Sequence, residues 1–151
     1  MKSARQLAFE ALLKINKDGA YSNLVVDAAL KENPDLDERD KAFMCNLVYG
    51  TLDRMILIDY NLGLYLNQPV RKLKPELHTV LRLGTYQLLF MDKVPSRAAV
   101  NESVNLAKVN KSAFAASLVN AVLRRVAENG LRLPECSEDC LLYTSPSPRD
   151  A

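Results

Sequence analysis

Residues 75–91, PELHTVLRLGTYQLLFM, carry apolar side chains on nearly every side of a helix. Leu77, Leu81, Gly84, Leu88 and Met91 form one stripe, and Val80, Leu83, Leu89 and Phe90 spread over much of the remaining circumference. A helix apolar on most of its surface belongs at the centre of a bundle. Pro75 suits its first turn, where a missing N–H costs nothing. The chain must leave helical geometry at Val94, because the residue before Pro95 is pushed out of the α region. Gly84 in this setting is expected to let a neighbouring backbone come close rather than to cradle a phosphate. An earlier stretch, LVYGTLDRM (47–55), repeats the Gly-Thr pair and hints at two sub-bundles, each with a glycine-bearing helix.

The segments on either side keep the same three-and-four rhythm. Ala4, Leu7, Ala8, Ala11, Leu12 and Ile15 make one stripe, with Ser3 placed to cap it and Asp18-Gly19 to end it. A short second helix from Ser22 or Asn23 carries Leu24, Val25, Ala28 and Ala29, and stops at Asn33-Pro34. Asp37 caps a long third segment whose length, with Gly50 and Gly63 inside it, predicts two helices or one bent one. Pro95 opens another helix through Ala98, Val100, Val104 and Ala107. The last, SAFAASLVNAVLRRVAENG, has Ser112 as its expected cap, a stripe at Ala115, Leu118, Val119, Val122 and Val126, and Gly130 as its stop. With 5 glycines, no Asn-Gly or Asp-Gly hairpin signal and no convincing strand, the expected fold is all-α, a bundle of six to seven helices.

The bulk properties fit one ordinary domain. Hydrophobic residues make up 48% and charged residues 25% of 151 residues, which is globular rather than disordered composition. Asp59, Asn61 and Arg82 interrupt the greasiest segments, so no run reaches the roughly 20 apolar residues of a membrane span. MKSARQLAFE lacks the continuous apolar core of a secretion signal, and the expected location is cytoplasmic.

Chemistry-bearing patterns are few. Cys45 reads as a small buried hydrophobe. Cys136 and Cys140 are four apart, but no second pair completes a zinc shell, and no metal is expected. His78 is the single histidine, with no evident nucleophile beside it. Asp35, Asp37, Glu38 and Asp40 are explained by capping and solvation. No G-x-G-x-x-G, phosphate loop or nucleophile elbow occurs, so neither a catalytic residue nor a cofactor is expected in this chain. A net charge of +2 is too small to imply a nucleic-acid partner, so that case must rest on clusters. Lys2 and Arg5 share the first turn; Arg71, Lys72 and Lys74 crowd the approach to Pro75; Arg124 and Arg125 project from the last helix. Each cluster has a plain reading as solvated surface, and together they could hold phosphates. With no tryptophan, and Tyr21, Tyr49 and Tyr86 scattered, recognition of RNA shape fits better than base-by-base stacking. Asn101 and Asn105, like Asn120 and Arg124, share a helix face at i, i+4 spacing. They form either exposed surface or a hydrogen-bonded seam between the two helices.

The ordered text LVYGTLDR, LRLGTYQLLFMDKVPSRAAVNESVNLAK and LVNAVLRR resembles the NusB-like RNA-binding domain over about residues 3–130. Within that superfamily, Gln87 stands where the free transcription antitermination factors typically have Glu. Gly84, Tyr86-Gln87-Leu88-Leu89, Val94-Pro95, the run Ala98–Val104 and Asn120–Arg124 look more like the N-terminal domain of the bacterial 16S ribosomal RNA cytosine-5 methyltransferases of the Sun/Fmu type. The resemblance implies two packed three-helix halves and ribosomal RNA as partner. It also implies a following S-adenosylmethionine-dependent catalytic domain, of which this chain has no motif. The antitermination branch implies a ribosomal protein partner instead, and its mode of RNA binding carries over to Lys2 and Arg5. A helical protein–protein adaptor with no RNA role is the alternative from another class.

Residues 131–139 are expected to begin a linker to the missing domain. Residues 140–151, CLLYTSPSPRDA, have no helical period and resemble one reading frame of a transposase-type sequencing adaptor over Cys140–Asp150. The natural sequence is therefore expected to stop near Asp139, and an uninterrupted genomic match through those codons would refute this.

Overall fold

The structure, a computed structural model, describes residues 3–134; Lys2, Cys136, Cys140 and the adaptor-like tail lie outside the described residues. Seven α-helices and two short 3-10 turns follow in order, with no strand among the described residues. These are α1 (Ala4–Asp18), α2 (Ser22–Glu32), α3 (Glu38–Asp53), α4 (Met55–Gly63), a 3-10 turn (Val70–Lys72), α5 (Pro75–Phe90), α6 (Ser96–Val109), a second turn (Ala113–Ala115) and α7 (Ala116–Asn129).

Helix α5 is the hub. It packs against α1, α3, α4, α6 and α7, while α1–α2–α3 and α5–α6–α7 each close on themselves. Leu77, Val80, Leu81, Leu83 and Tyr86 are buried on it, and one apolar core runs through both groups of helices. Burial of this kind stabilises by roughly 1.5–3 kcal/mol per large side chain.

Several helix ends follow their local chemistry. Ser3 Oγ accepts from the Gln6 N–H at 3.2 Å, and Asp37 Oδ1 accepts from the Asp40 N–H at 2.7 Å. Gly130 ends α7 at φ 68°, ψ −170°, a conformation essentially restricted to glycine.

Four expectations need correcting. The long third segment does divide, but at Arg54 (φ −116°, ψ 20°) rather than at a glycine, and the Arg54 guanidinium lies 4.9 Å from the Phe90 ring centroid. On α2 Val25 and Ala29 do pack against the core, but the fully buried residue is Val26, while Ala28 is exposed and Leu24 points to solvent at 61% exposure, because this short helix covers α1 and α3 with a narrow face. Ser112 does not cap α7. It belongs to the end of α6, where Lys111 adopts the left-handed conformation (φ 67°) and the Ser112 N–H donates to the Ala107 carbonyl at 2.9 Å, a Schellman closure. What approaches Gly84 is side chain rather than backbone: a Cβ there would stand 2.5 Å from Leu123 Cδ1 and 2.7 Å from Ser103 Oγ. Gly50 on α3 makes room in the same way for the Tyr86 ring. Thr51 and Thr85, which follow the two glycines, are both fully buried.

Candidate nucleic-acid interface

The cations predicted from sequence divide into two kinds. Arg5 is half-buried. Its Nε donates to Gln87 Oε1 at 2.8 Å, and its guanidinium lies 5.1 Å from the Phe43 ring centroid. Burial lowers its pKa from the ordinary arginine value, opposed by the charge of Glu102. Gln87, itself fully buried, donates in turn to the Leu83 carbonyl at 3.0 Å. Arg5 thus joins α1 to α5, and the reciprocal amide pair of Gln6 and Asn110, both bonds 2.9 Å, joins α1 to the end of α6.

Arg71, Lys72, Lys74, Arg124 and Arg125 are exposed. Arg71 and Lys72 stand on the first 3-10 turn, and Lys74 precedes Pro75. Two of these cations cross to aromatic rings: Lys74 Nζ lies 5.1 Å from the Phe114 centroid and the Arg125 guanidinium 5.3 Å from that of Tyr65. The connection from α4 to α5 is thereby drawn alongside the chain from Phe114 through α7. The 71–74 cluster and Arg125 fall on that side, whereas Arg5 faces α3 and α5. Phe114, 68% exposed beside Lys74, is an aromatic surface that the sequence reading did not single out. Its only signal was a large apolar residue in a turn between two helices.

The outer seam of α6 and α7 is open. A cavity of about 500 Å³ is lined by Ser96, Arg97, Val100, Asn101, Asn120 and Arg124, among others. A second, of about 580 Å³, continues from Asn101 and Asn120 to Asn105, Lys108 and Ser117. The asparagines that share helix faces in the sequence do line one seam, but no hydrogen bond joins them across it among the described residues. Arg97 and Lys108 complete this groove and were missed; without the pairing of α6 with α7, neither is distinguishable from any exposed cation.

A third cluster ties α4 to α5. Asp59 Oδ1 accepts from Arg82 Nε and from His78 Nε2, each at 2.9 Å, and Oδ2 accepts from Arg82 Nη2 at 2.7 Å. A carboxylate can only accept, so His78 carries its proton on Nε2 here. Burial pushes the Asp59 carboxyl up, but the hydrogen bonds and charges of His78 and Arg82 outweigh it and hold its pKa below the ordinary value. Among the described residues His78 bonds Asp59 and no nucleophile, and the cluster clasps α4 to α5. Among the described residues no group of three or more His, Cys, Asp or Glu side chains could hold a metal ion, and no helix is long and apolar enough to cross a membrane. Cys45 is half-buried against the core.

Seven short helices gathered around α5, with exposed cations on the surface, define an all-helical domain. Residues 2–128 match the NusB family, and the chain belongs to it. It is 39% identical over 137 residues to the probable ribosomal RNA small subunit methyltransferase B of Bacillus subtilis (strain 168), covering 91% of this chain and 30% of that protein. It is 31% identical over 128 residues to the transcription antitermination protein NusB of Thiobacillus denitrificans, covering 85% of this chain and 88% of that protein. A crystal structure of antitermination factors NusB and NusE with double-stranded RNA shares the fold at a TM-score of 0.75 and 24% identity, over 83% of this chain and 94% of that one. The chain spans about 30% of the length of the methyltransferase relatives it matches.

Proposed function

We infer that this chain is the RNA-binding domain of a ribosomal RNA small-subunit methyltransferase, one that modifies cytosine C5. It holds structured ribosomal RNA by its phosphates while a separate catalytic domain transfers the methyl group. The observation that carries this reading is the contrast in identity: 39% to the Bacillus methyltransferase against 31% to the Thiobacillus antitermination factor. The exposed cations Arg71, Lys72, Lys74, Arg124 and Arg125 support a backbone-directed mode of binding, since phosphate contacts position RNA without reading its sequence. Lys2 belongs with this set by its place in the family motif. Arg5 contributes through the α1–α5 contact, where it orients the N-terminal turn.

S-adenosylmethionine would supply the methyl group, bound by the catalytic domain of the longer protein. Gly50 and Gly84 are filled by the side chains of Tyr86, Leu123 and Ser103, so these two glycines serve packing. The full protein and its soluble expression in the cytoplasm are part of the same reading.

Affinity for ribosomal RNA fragments measured across a salt series tests it. Binding should weaken steeply as salt rises, and the triple variant Arg71→Ala, Lys72→Ala, Lys74→Ala should reduce the log–log slope by about three. Undetectable or salt-independent binding would overturn the reading in favour of a protein–protein adaptor. A second reading, a free antitermination factor paired with a ribosomal protein, is favoured by the 88% coverage of the Thiobacillus protein. Tight binding to a ribosomal protein, with no gain in affinity for methylation-site RNA, would select it.

A further inference from the structure

We propose that the groove along the outer seam of α6 and α7 binds a short single-stranded RNA segment and reads a purine base edge with Asn101 and Asn120. The proposal rests on the RNA-binding reading and adds to it a second, sequence-sensitive site.

The two cavities lie side by side along the seam and meet at Asn101 and Asn120, which line both. On α6, Arg97, Asn101, Asn105 and Lys108 follow at steps of three and four, which places them in a line along one face. On α7, Ser117, Asn120, Arg124 and Glu128 face them at the same steps. From Arg97 to Lys108 the helix rises about 16 Å, enough for a few nucleotides. Three cations stand against one carboxylate, Glu128, and none of Arg97, Lys108 and Arg124 forms a salt bridge among the described residues.

The chemistry is graded along the trough. Arg97 and Arg124 occupy one end and Lys108 the other, suited to phosphates that flank a base. The middle holds side-chain amides, each presenting a donor and an acceptor, with Val100 and Val104 as aliphatic wall. Asn101 and Asn120 have no hydrogen-bond partner among the described residues, so no internal bond must break before they meet a ligand. An asparagine amide matches the paired donor and acceptor of an adenine edge, and an RNA base exposes its edges in this way only when unpaired. A bare polyanion would leave the amides unused.

The full chain, isotopically labelled, should be titrated with hexa-adenylate, hexa-uridylate and hexa-glutamate while the side-chain amide signals of Asn101 and Asn120 are followed. Hexa-adenylate should move both signals and bind about tenfold more tightly than hexa-uridylate. The double variant Asn101→Ala, Asn120→Ala should lose that preference with an unchanged thermal melt. Equal response to all three hexamers would overturn base reading. Retained binding of ribosomal RNA fragments, with static amide signals and an unaffected double variant, would overturn the groove and leave the RNA-binding reading intact. Failure of the parent chain to bind any RNA would sink both.

Discussion

Gln87 with Arg5, on one side of the hub, and Asn120 with Arg124, on the other, each set a side-chain amide beside an arginine, in opposite states. Gln87 is fully buried and accepts from the half-buried Arg5 while donating to its own helix. Asn120 and Arg124 border an open trough and pair with nothing among the described residues. The difference lies in what α5 does. Apolar around most of its circumference, it draws α1 close enough to close the Arg5–Gln87 pair between them. Helices α6 and α7 use their inner faces to grip α5 through Ser103 and Leu123 at Gly84, so their outer faces are left to solvent. A closed amide stabilises the fold; an open one is available to a ligand.

The comparison breaks most visibly at the inner face. Gly84→Val would drive a branched side chain into Leu123 and Ser103, and a loss on the order of 3 kcal/mol or more is expected in urea unfolding. Gly63→Ala, where a Cβ would meet nothing within 4 Å, should stay within about 0.5 kcal/mol.

On the closed side, Gln87→Ala should cost about 2 kcal/mol, since it removes the acceptor from a half-buried guanidinium and opens a small void. The matching change on the open side, Asn120→Ala, should alter stability by less than about 0.5 kcal/mol. If the two substitutions prove equally costly, the distinction between the sides is wrong.

The Asp59 clasp adds a pH test. Because the folded carboxyl titrates below its unfolded value of about 3.9, its contribution is complete above that pH and is lost as pH falls through the lower folded pKa. Denaturant midpoints measured downward from pH 6 should therefore drop in acid. Asp59→Asn should start from lower stability at neutral pH and show a shallower acid limb.

A more local effect concerns the chain beyond α7. Fully buried Asn61 donates to the Arg132 carbonyl at 3.0 Å and accepts from the Arg132 N–H at 2.9 Å. Asn61→Ala should speed hydrogen exchange at the Arg132 amide at a cost of about 1 kcal/mol.

Periodicity and capping chemistry made most of the fold legible. Ser3, Asp37, Pro75, Gly19 and Gly130 mark helix ends because each acts on backbone groups within a few residues, which a linear reading can see. Errors arose where two local signals competed or where a neighbour far along the chain decided the outcome. Ser112 looks like a cap for α7 until Lys111 turns left-handed to close α6. Leu24 looks inward until the packing of α2 selects Val26. The surface cations divided in the same way: charge runs singled out Arg71, Lys72 and Lys74, which are exposed, but Arg97 and Lys108 became groove residues only once α6 and α7 lay side by side. Asn61 stood out only as a polar break in an apolar stretch, with nothing to mark its partner 71 residues away.

What the residues determined by themselves was the set of helices, their ends, and the central place of the one apolar on most sides, because those follow from local hydrogen bonding and from which surfaces avoid water. Which polar groups were closed and which stayed open was decided only in three dimensions. An arginine or an amide is equally at ease paired or hydrated, and only the packing of distant helices determines which of the two it meets.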